Sequence, residues 1–169
     1  MSVGREAKSS QDYGIAIVYQ ADVSAIHGMA LGERAAASGQ IAVAVGANAK
    51  ATGANSYAGG FNSASSGTSS VALGESATSS GDTSVAIGKN TVASGGDAVS
   101  IGASSQATGA DSLALGKNAQ ASNGDTIAIG QDSVAQSLNA VALGKTSKAT
   151  GASATALGPQ STASATYTT

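Results

Sequence analysis

The side chains of this chain that could perform chemistry are few, and they do not form a catalytic pattern. The sole histidine, His27, has no second histidine, no cysteine and no catalytic serine motif around it. Because the chain contains no cysteine, disulfide bonds, thiol chemistry and cysteine-ligated zinc are excluded. We therefore predict no catalytic residues, and the sequence does not favour an enzyme.

Two short motifs are similar to ligand-binding loops but lack the context that such loops need. Gly144-Lys145-Thr146 is similar to the end of a phosphate-binding loop, but that motif requires a glycine where this chain has Asn139. Gly95-Gly96-Asp97 is similar to a calcium β-roll motif, which must recur in successive turns and occurs here once. The spacing stacks Asp97, Asp111 and Asp125, which could bind an adventitious cation. Such stacking is more typical of a solvated ladder of turn residues than of a cation site. The sequence thus predicts no cofactor and no metal.

Composition excludes several classes of partner and substrate. The net charge of -2 provides no basic stripe, so we predict no nucleic-acid partner. No apolar run approaches the roughly 18 residues of a membrane span. A trimeric glycan-cleaving fibre would need paired carboxylates beside aromatic platforms, whereas this chain holds one Phe, four Tyr and no Trp.

The elements that must position these side chains follow from an internal repeat. The phrase Ser84-Val85-Ala86-Ile87-Gly88 recurs along almost the whole chain, and its closing glycine returns every fourteen residues. The closing glycines are Gly4, Gly32, Gly46, Gly60, Gly74, Gly88, Gly102, Gly116, Gly130, Gly144 and Gly158, with Val18 in the place of a glycine in the second coil. A period kept so strictly predicts a solenoid of about twelve coils.

Each repeat predicts two short strands joined by two turns. The first strand alternates large, small and large residues eleven to thirteen positions after the closing glycine, which is the period of a strand. The second is expected three to six positions after that glycine, with small and polar residues alternating. A further glycine seven positions on, such as Gly39 or Gly95, is expected to supply positive φ in the second turn.

The width of the coil predicts which columns face inward. Sheets normally pack about 10 Å apart, and a coil of fourteen residues is narrow, so small residues should fill it. The expected coil-interior residues are Ala72, Ala77, Ala86, Ala114, Ala119, Ala121, Ala128 and Ala142. The alternative packing has the large residues inside and residues such as Ala72 between subunits.

With small residues inside, the large residues form an outward apolar stripe that must be covered by copies of the same chain. The predicted interface residues are Val43, Val45, Val71, Leu73, Val85, Ile87, Val99, Ile101, Leu113, Leu115, Ile127, Ile129, Val141 and Leu143. The chain is expected to be one domain, 1–169, with degenerate coils over 1–28, regular repeats over 29–158 and a partial coil over 159–169. Three aromatic residues depart from the pattern: Tyr19, Tyr57 and Phe61. Their departure has two interpretations, which are neutral drift at surface positions and contact with a ligand.

The phrase Ser70-Val71-Ala72-Leu73-Gly74, its copy ending at Gly88 and the small residues that follow resemble the YadA-like head repeat of trimeric autotransporter adhesins. The resemblance implies a left-handed parallel β-roll assembled as a homotrimer. It also implies display on the surface of a Gram-negative bacterium and binding to host cells or extracellular matrix. The family's signal peptide, stalk and C-terminal membrane anchor are not in this sequence, so we expect an isolated head fragment with Met1 as an added start. Membrane attachment would come only through that missing anchor.

Two other functions share the expected architecture. A bacteriophage tail fibre could use the same trimeric roll as a structural segment. An ice-binding solenoid would need a flat threonine face, but the column six positions after the glycine is mostly serine, as at Ser66, Ser80 and Ser94.

Overall fold

The computed structural model describes residues 1–168 and consists of strands and turns, with no helix in that range. Strands β1 to β24 are numbered in chain order and form two parallel sheets of twelve strands each. Sheet A contains β1 (Ser2–Val3), β3 (Ile15–Ile17), β5 (Met29–Leu31), β7 (Val43–Val45), β9 (Tyr57–Gly59), β11 (Val71–Leu73), β13 (Val85–Ile87), β15 (Val99–Ile101), β17 (Leu113–Leu115), β19 (Ile127–Ile129), β21 (Val141–Leu143) and β23 (Thr155–Leu157).

Sheet B lies on the other side of each coil, and its strands are only two residues long. It contains β2 (Lys8–Ser9), β4 (Asp22–Val23), β6 (Ala36–Ala37), β8 (Lys50–Ala51), β10 (Ala64–Ser65), β12 (Thr78–Ser79), β14 (Val92–Ala93), β16 (Gln106–Ala107), β18 (Gln120–Ala121), β20 (Val134–Ala135), β22 (Lys148–Ala149) and β24 (Thr162–Ala163). The second strand of each repeat is therefore shorter than the four residues expected.

Successive coils stack without any shift in register. Val71 pairs with Val85, Ala72 with Ala86 and Leu73 with Ile87, and the same fourteen-residue offset holds through both sheets. The fold confirms the predicted all-β parallel solenoid. At a spacing of about 4.8 Å between paired strands, equivalent side chains form straight columns along the solenoid.

The first turn of each coil needs its closing glycine for a conformational reason. Gly74 has φ of +133° and Gly88 has φ of +135°, in a region that side chains with a Cβ rarely adopt. In the second coil the same place is held by Val18, whose φ is +91°. A β-branched residue with positive φ is a strained exception.

The expectation of positive φ at the second-turn glycines is wrong. Gly39, Gly81 and Gly95 are not among the residues with positive φ; in this turn the left-handed residue lies two positions later, as at Asp97 with φ of +53°. The glycine is needed instead because a Cβ built on Gly95 would lie 1.9 Å from the carbonyl oxygen of Gly109 in the next coil. Close stacking of coil on coil, rather than backbone handedness, explains this column.

The coil interior is filled by alanine, serine and glycine. Ala72, Ala77, Ala86, Ala114, Ala119, Ala121, Ala128 and Ala142 are each fully buried. Four inward columns lie three, five, ten and twelve positions after the closing glycine, and buried hydroxyls pair across the coil. The Oγ atoms of Ser79 and Ser84 are 2.6 Å apart, and Ser84 Oγ donates to the carbonyl of Gly81 at 2.6 Å. These bonds satisfy polar groups that would be costly to bury alone.

The interior of the N-terminal coils is filled by a different combination of residues. Val23 is fully buried where later coils place alanine or serine. A Cβ on Gly28 would lie 2.7 Å from Val23 Cγ1, and a Cβ on Gly14 would lie 2.9 Å from the same atom. The loss of two side chains opposite Val23 therefore makes room for its extra methyl groups.

Candidate interaction surfaces

The outer face of sheet A, here called the apolar face, carries the residues eleven and thirteen positions after each closing glycine. The fourteen residues predicted to meet other subunits all lie on this face, half-buried or exposed, while the small residues between them point into the coil. Ala72 and Ala86 have no exposed surface, which does not match the alternative packing with alanine between subunits. The apolar face thus leaves branched aliphatic side chains partly exposed along the length of the solenoid.

Charged residues are confined to the other surfaces. Across residues 1–168 the apolar face bears no Asp, Glu, Lys or Arg. The charges lie on the two turns and on the outward positions of sheet B, where Lys50 and Lys148 are exposed. A surface of this length without a charge is suited to contact with another apolar surface and not to water.

Apart from Thr155 near the C-terminal end, one coil interrupts the columns of the apolar face. Tyr57 and Gly59 stand where neighbouring coils have Val43 and Val45 on one side and Val71 and Leu73 on the other. A Cβ on Gly59 would lie 2.7 Å from Tyr57 Cε1 and 2.7 Å from Leu73 Cδ2. The tyrosine ring therefore lies along its own strand and covers the place of the missing side chain, so the two departures from the repeat are one packing unit.

The turns carry ladders of polar side chains spaced one coil apart. Glu75 and Lys89 form an ion pair of 3.0 Å, and Asn118 donates to the carboxylate of Asp132 at 2.8 Å. In the other turn the backbone N–H of Thr68 donates to Asp82 at 2.7 Å. An exposed ion pair such as Glu75–Lys89 contributes at most about 1 kcal/mol, so its side chains remain available for contacts with a ligand.

The acidic and basic motifs singled out in the sequence lie in these turns. Asp97, Asp111 and Asp125 each occupy a left-handed position and are exposed, and in the described part of the chain no group of three or more acidic or histidine residues could hold a metal ion. Lys145 and Thr146 lie in the turn between β21 and β22, where the Thr146 hydroxyl donates to the Lys145 carbonyl at 2.7 Å.

An aromatic pair near the N-terminal end was not predicted. The rings of Tyr13 and His27 stack with centroids 4.9 Å apart and planes at 16°. The two residues are fourteen positions apart, so the repeat itself was the signal that could have found them. On the opposite turn the guanidinium of Arg5 lies 5.7 Å from the ring centroid of Tyr19. Tyr57, by contrast, lies on the apolar face and Phe61 on the first turn.

Within residues 1–168 no helix has the length and apolarity needed to cross a membrane. The geometry defines a narrow parallel β-solenoid with one apolar face and polar turns on both sides.

Comparison with known proteins places this solenoid in a family. The model of the YadA head domain repeat, which holds two copies, matches residues 37–63, 65–91, 93–119, 121–147 and 149–169. These segments cover more than half of the chain, and the chain belongs to this family of adhesin head repeats, which is not an enzyme family. A search of curated proteins gives no match.

A solved structure agrees with the family assignment at the level of the fold. The collagen-binding domain of the Yersinia adhesin YadA superposes with a TM-score of 0.51 at 24% sequence identity, over 86% of this chain. The present chain spans 66% of the length of that domain. The resemblance inferred from Val71 and Val85 in the repeated phrase is therefore confirmed.

Proposed function

We propose that this chain is the head of a bacterial surface adhesin that works as a homotrimer and binds extracellular matrix or host-cell molecules. The observation that carries the proposal is the separation of surfaces: the apolar face is free of charge, whereas polar side chains repeat along the turns and along sheet B. Membership of the YadA head family supports display on the surface of a Gram-negative bacterium. Collagen is the first candidate ligand because the similar Yersinia domain binds collagen.

The apolar face supports self-assembly through its length and its period. Ile87 is 36% exposed and Leu115 is 39% exposed in the single chain, and comparable side chains recur in successive coils. A monomer rarely exposes more than a few hundred Å² of continuous apolar surface. A surface that repeats at every coil is best matched by another surface with the same repeat, and closed symmetry then covers all copies equally. The family supports three as the number of chains.

Ligand binding is assigned to the turns and to the outer side of sheet B, which stay exposed when the apolar face is covered. Polar side chains recur at the same position of successive coils there, and several are of one type, such as Asn48, Asn62 and Asn90 in the first turn. A fibrous ligand can therefore meet several equivalent sites on one head. Linked weak contacts raise apparent affinity by about 10²–10⁴ when their geometry permits simultaneous binding.

The test compares collagen binding and sedimentation of the wild type with those of two variants. One variant changes Val85 on the apolar face, and the other changes Lys89 on the turn that follows it. Val85→Asp places a charge on the apolar face, and burying unpaired charge costs several kcal/mol, so we expect monomers that do not bind. Lys89→Ala removes an exposed charge paired with Glu75 and should leave assembly unchanged. Binding should also persist, because similar turns repeat in the other coils and chains. Full adhesion by monomeric Val85→Asp would refute the link between assembly and binding. Binding of other matrix proteins but not of collagen would refute collagen as the ligand.

A further inference from the structure

We infer that Tyr57 and Gly59 form a register key, meaning the one coil of the apolar face that fixes how far along the axis one chain sits against its partners. The inference rests on the proposed homotrimer, and the occupant of the key is the same coil of the other two chains. It concerns which alignment the chains adopt, and not whether they assemble.

A strictly repeating interface leaves the axial alignment weakly determined. Most outward side chains on the apolar face pair in register with a similar one in the next coil, as Val85 does with Val99 and Ile87 with Ile101. A chain displaced by one coil, about 4.8 Å, would therefore present nearly the same surface to its partners. Regular β-structures with uniform side chains are prone to such slippage unless a particular residue opposes it, and single polar residues perform this task in coiled coils.

The coil of Tyr57 differs from its neighbours in shape. Its ring lies over Gly59, whose missing side chain leaves the ring room within 2.7 Å of the place a Cβ would take. The flat ring thus reaches over the second outward position, which it shares with Leu73 Cδ2 of the next coil. The next coil itself presents two separate branched side chains, Val71 and Leu73. Three chains in matching register bring three flat surfaces of the same kind to one level.

The coil of Tyr57 also differs in chemistry. Tyr57 is 36% exposed in the single chain, so covering the apolar face would bury more of the ring and its hydroxyl. A tyrosine hydroxyl both donates and accepts hydrogen bonds, so hydroxyls at one level can bond to one another. In any other register the hydroxyl would face aliphatic side chains and lose its partner, and an unsatisfied buried hydroxyl is unfavourable.

Loss of overlap at the two ends also opposes displacement, but that effect does not depend on the position of the key. The test therefore moves the key. One variant carries Tyr57→Val and Gly59→Leu, which restores the repeat at that coil. A second adds Ile127→Tyr and Ile129→Gly, which places the key five coils further along the same face.

Each chain is given a distinct affinity tag, mixed with wild type in denaturant, refolded and analysed for heterotrimers. Two tagged wild-type chains should mix statistically, with about three quarters of trimers mixed for a three-fold assembly. Wild type and the moved-key chain should sort into separate homotrimers, with mixed trimers reduced about tenfold, because matching the keys would sacrifice five coils of overlap. Statistical mixing of these two chains would overturn the register key.

The chain without a key, which carries only Tyr57→Val and Gly59→Leu, keeps the test decisive if the moved-key chain does not assemble. In a mixed trimer its aliphatic side chains would face the Tyr57 ring of a wild-type chain and leave the hydroxyl without a partner. Mixed trimers should therefore fall below the statistical share. Free mixing would again refute the key. A monomeric wild type in sedimentation would instead contradict the proposed function, which separates the two failures.

Discussion

Substitution of Gly95 by alanine tests why the second turn of each coil carries a glycine. A Cβ at this position would lie 1.9 Å from the carbonyl oxygen of Gly109 and 2.3 Å from its carbonyl carbon. These are backbone atoms of the next coil, so relief requires the two coils to separate against the hydrogen bonds of both sheets. Overpacking of this kind typically costs about 1–3 kcal/mol, and we expect a value near 3 kcal/mol because no side chain can move aside.

The adjacent residue supplies a matched control. A Cβ on Gly96 meets nothing within 4 Å, and neither glycine has a positive φ. Gly96→Ala should therefore be neutral or stabilising by about 0.4–1 kcal/mol through the unfolded chain. Thermal unfolding followed by circular dichroism should show that Gly95→Ala melts about 6–12 °C below the wild type. This range follows from a loss near 3 kcal/mol and a shift of roughly 2–4 °C per kcal/mol for a chain of this size.

Gly95→Asn separates the two explanations for this glycine. Asparagine tolerates the left-handed region better than alanine does, so a requirement for positive φ would make asparagine the milder change. Close approach of the coils predicts that asparagine is at least as damaging as alanine. Equal melting temperatures for Gly95→Ala and Gly96→Ala, or rescue by asparagine, would refute the reasoning from coil stacking.

Three further substitutions examine the packing of the coil. Ala86→Leu should lower stability by about 1–3 kcal/mol or more, measured by chemical denaturation, because the alanine is fully buried; an unchanged midpoint would contradict the narrow core. Val18→Gly should raise stability by about 1 kcal/mol, since it relieves a strained φ of +91° at some cost in chain entropy; a lower midpoint would count against strain. Gly28→Ala should destabilise the wild type more than a Val23→Ala background, since its Cβ would contact Val23 Cγ1 at 2.7 Å; equal effects in both backgrounds would show that the two residues do not share one space.

The repeat made most of the fold predictable from the sequence. The alternation at Val85, Ala86 and Ile87 distinguishes a strand from a helix, and fourteen-residue spacing implies coils that stack in register. Both inferences depend only on periodicity, which a single sequence displays when it repeats often enough. The predicted solenoid and the family resemblance are accordingly confirmed.

The role of individual small residues was harder to predict, because one residue type serves several physical needs. Gly88 and Gly95 look alike in the sequence, and a Cβ on either would approach a carbonyl of the next coil, yet only Gly88 also needs a positive φ, of +135°. Serine is similarly ambiguous. Ser84 is not among the residues predicted for the interior, although its hydroxyl bonds to that of Ser79 there. Which of these needs applies depends on distances between coils, and the spacing of residues along the chain does not contain those distances.

The residues of the candidate binding surfaces were also hard to predict from the sequence. Stacking constrains every inward column to small residues and the apolar face to branched ones, so the positions left free to vary are the turns and the outside of sheet B. In the proposed adhesin, variation there would carry the recognition chemistry, but the repeat pattern does not distinguish a ligand contact from neutral drift. The aromatic pair of Tyr13 and His27 illustrates this, since the repeat places both rings one coil apart without indicating what they contact.

The narrow coil and the apolar face are two consequences of one composition. Because alanine and serine fill the interior, each coil buries little apolar surface on its own, and burial of apolar surface contributes only about 25 cal/mol per Å². The large side chains, such as Val85 and Ile87, carry most of the apolar surface that could still be buried, and they lie outside the coil. In the proposed trimer, contact between chains supplies stability that a globular domain obtains from its own core. Folding and assembly would then be linked, and a residue that fixes the alignment of the chains, as proposed for Tyr57, would act on both.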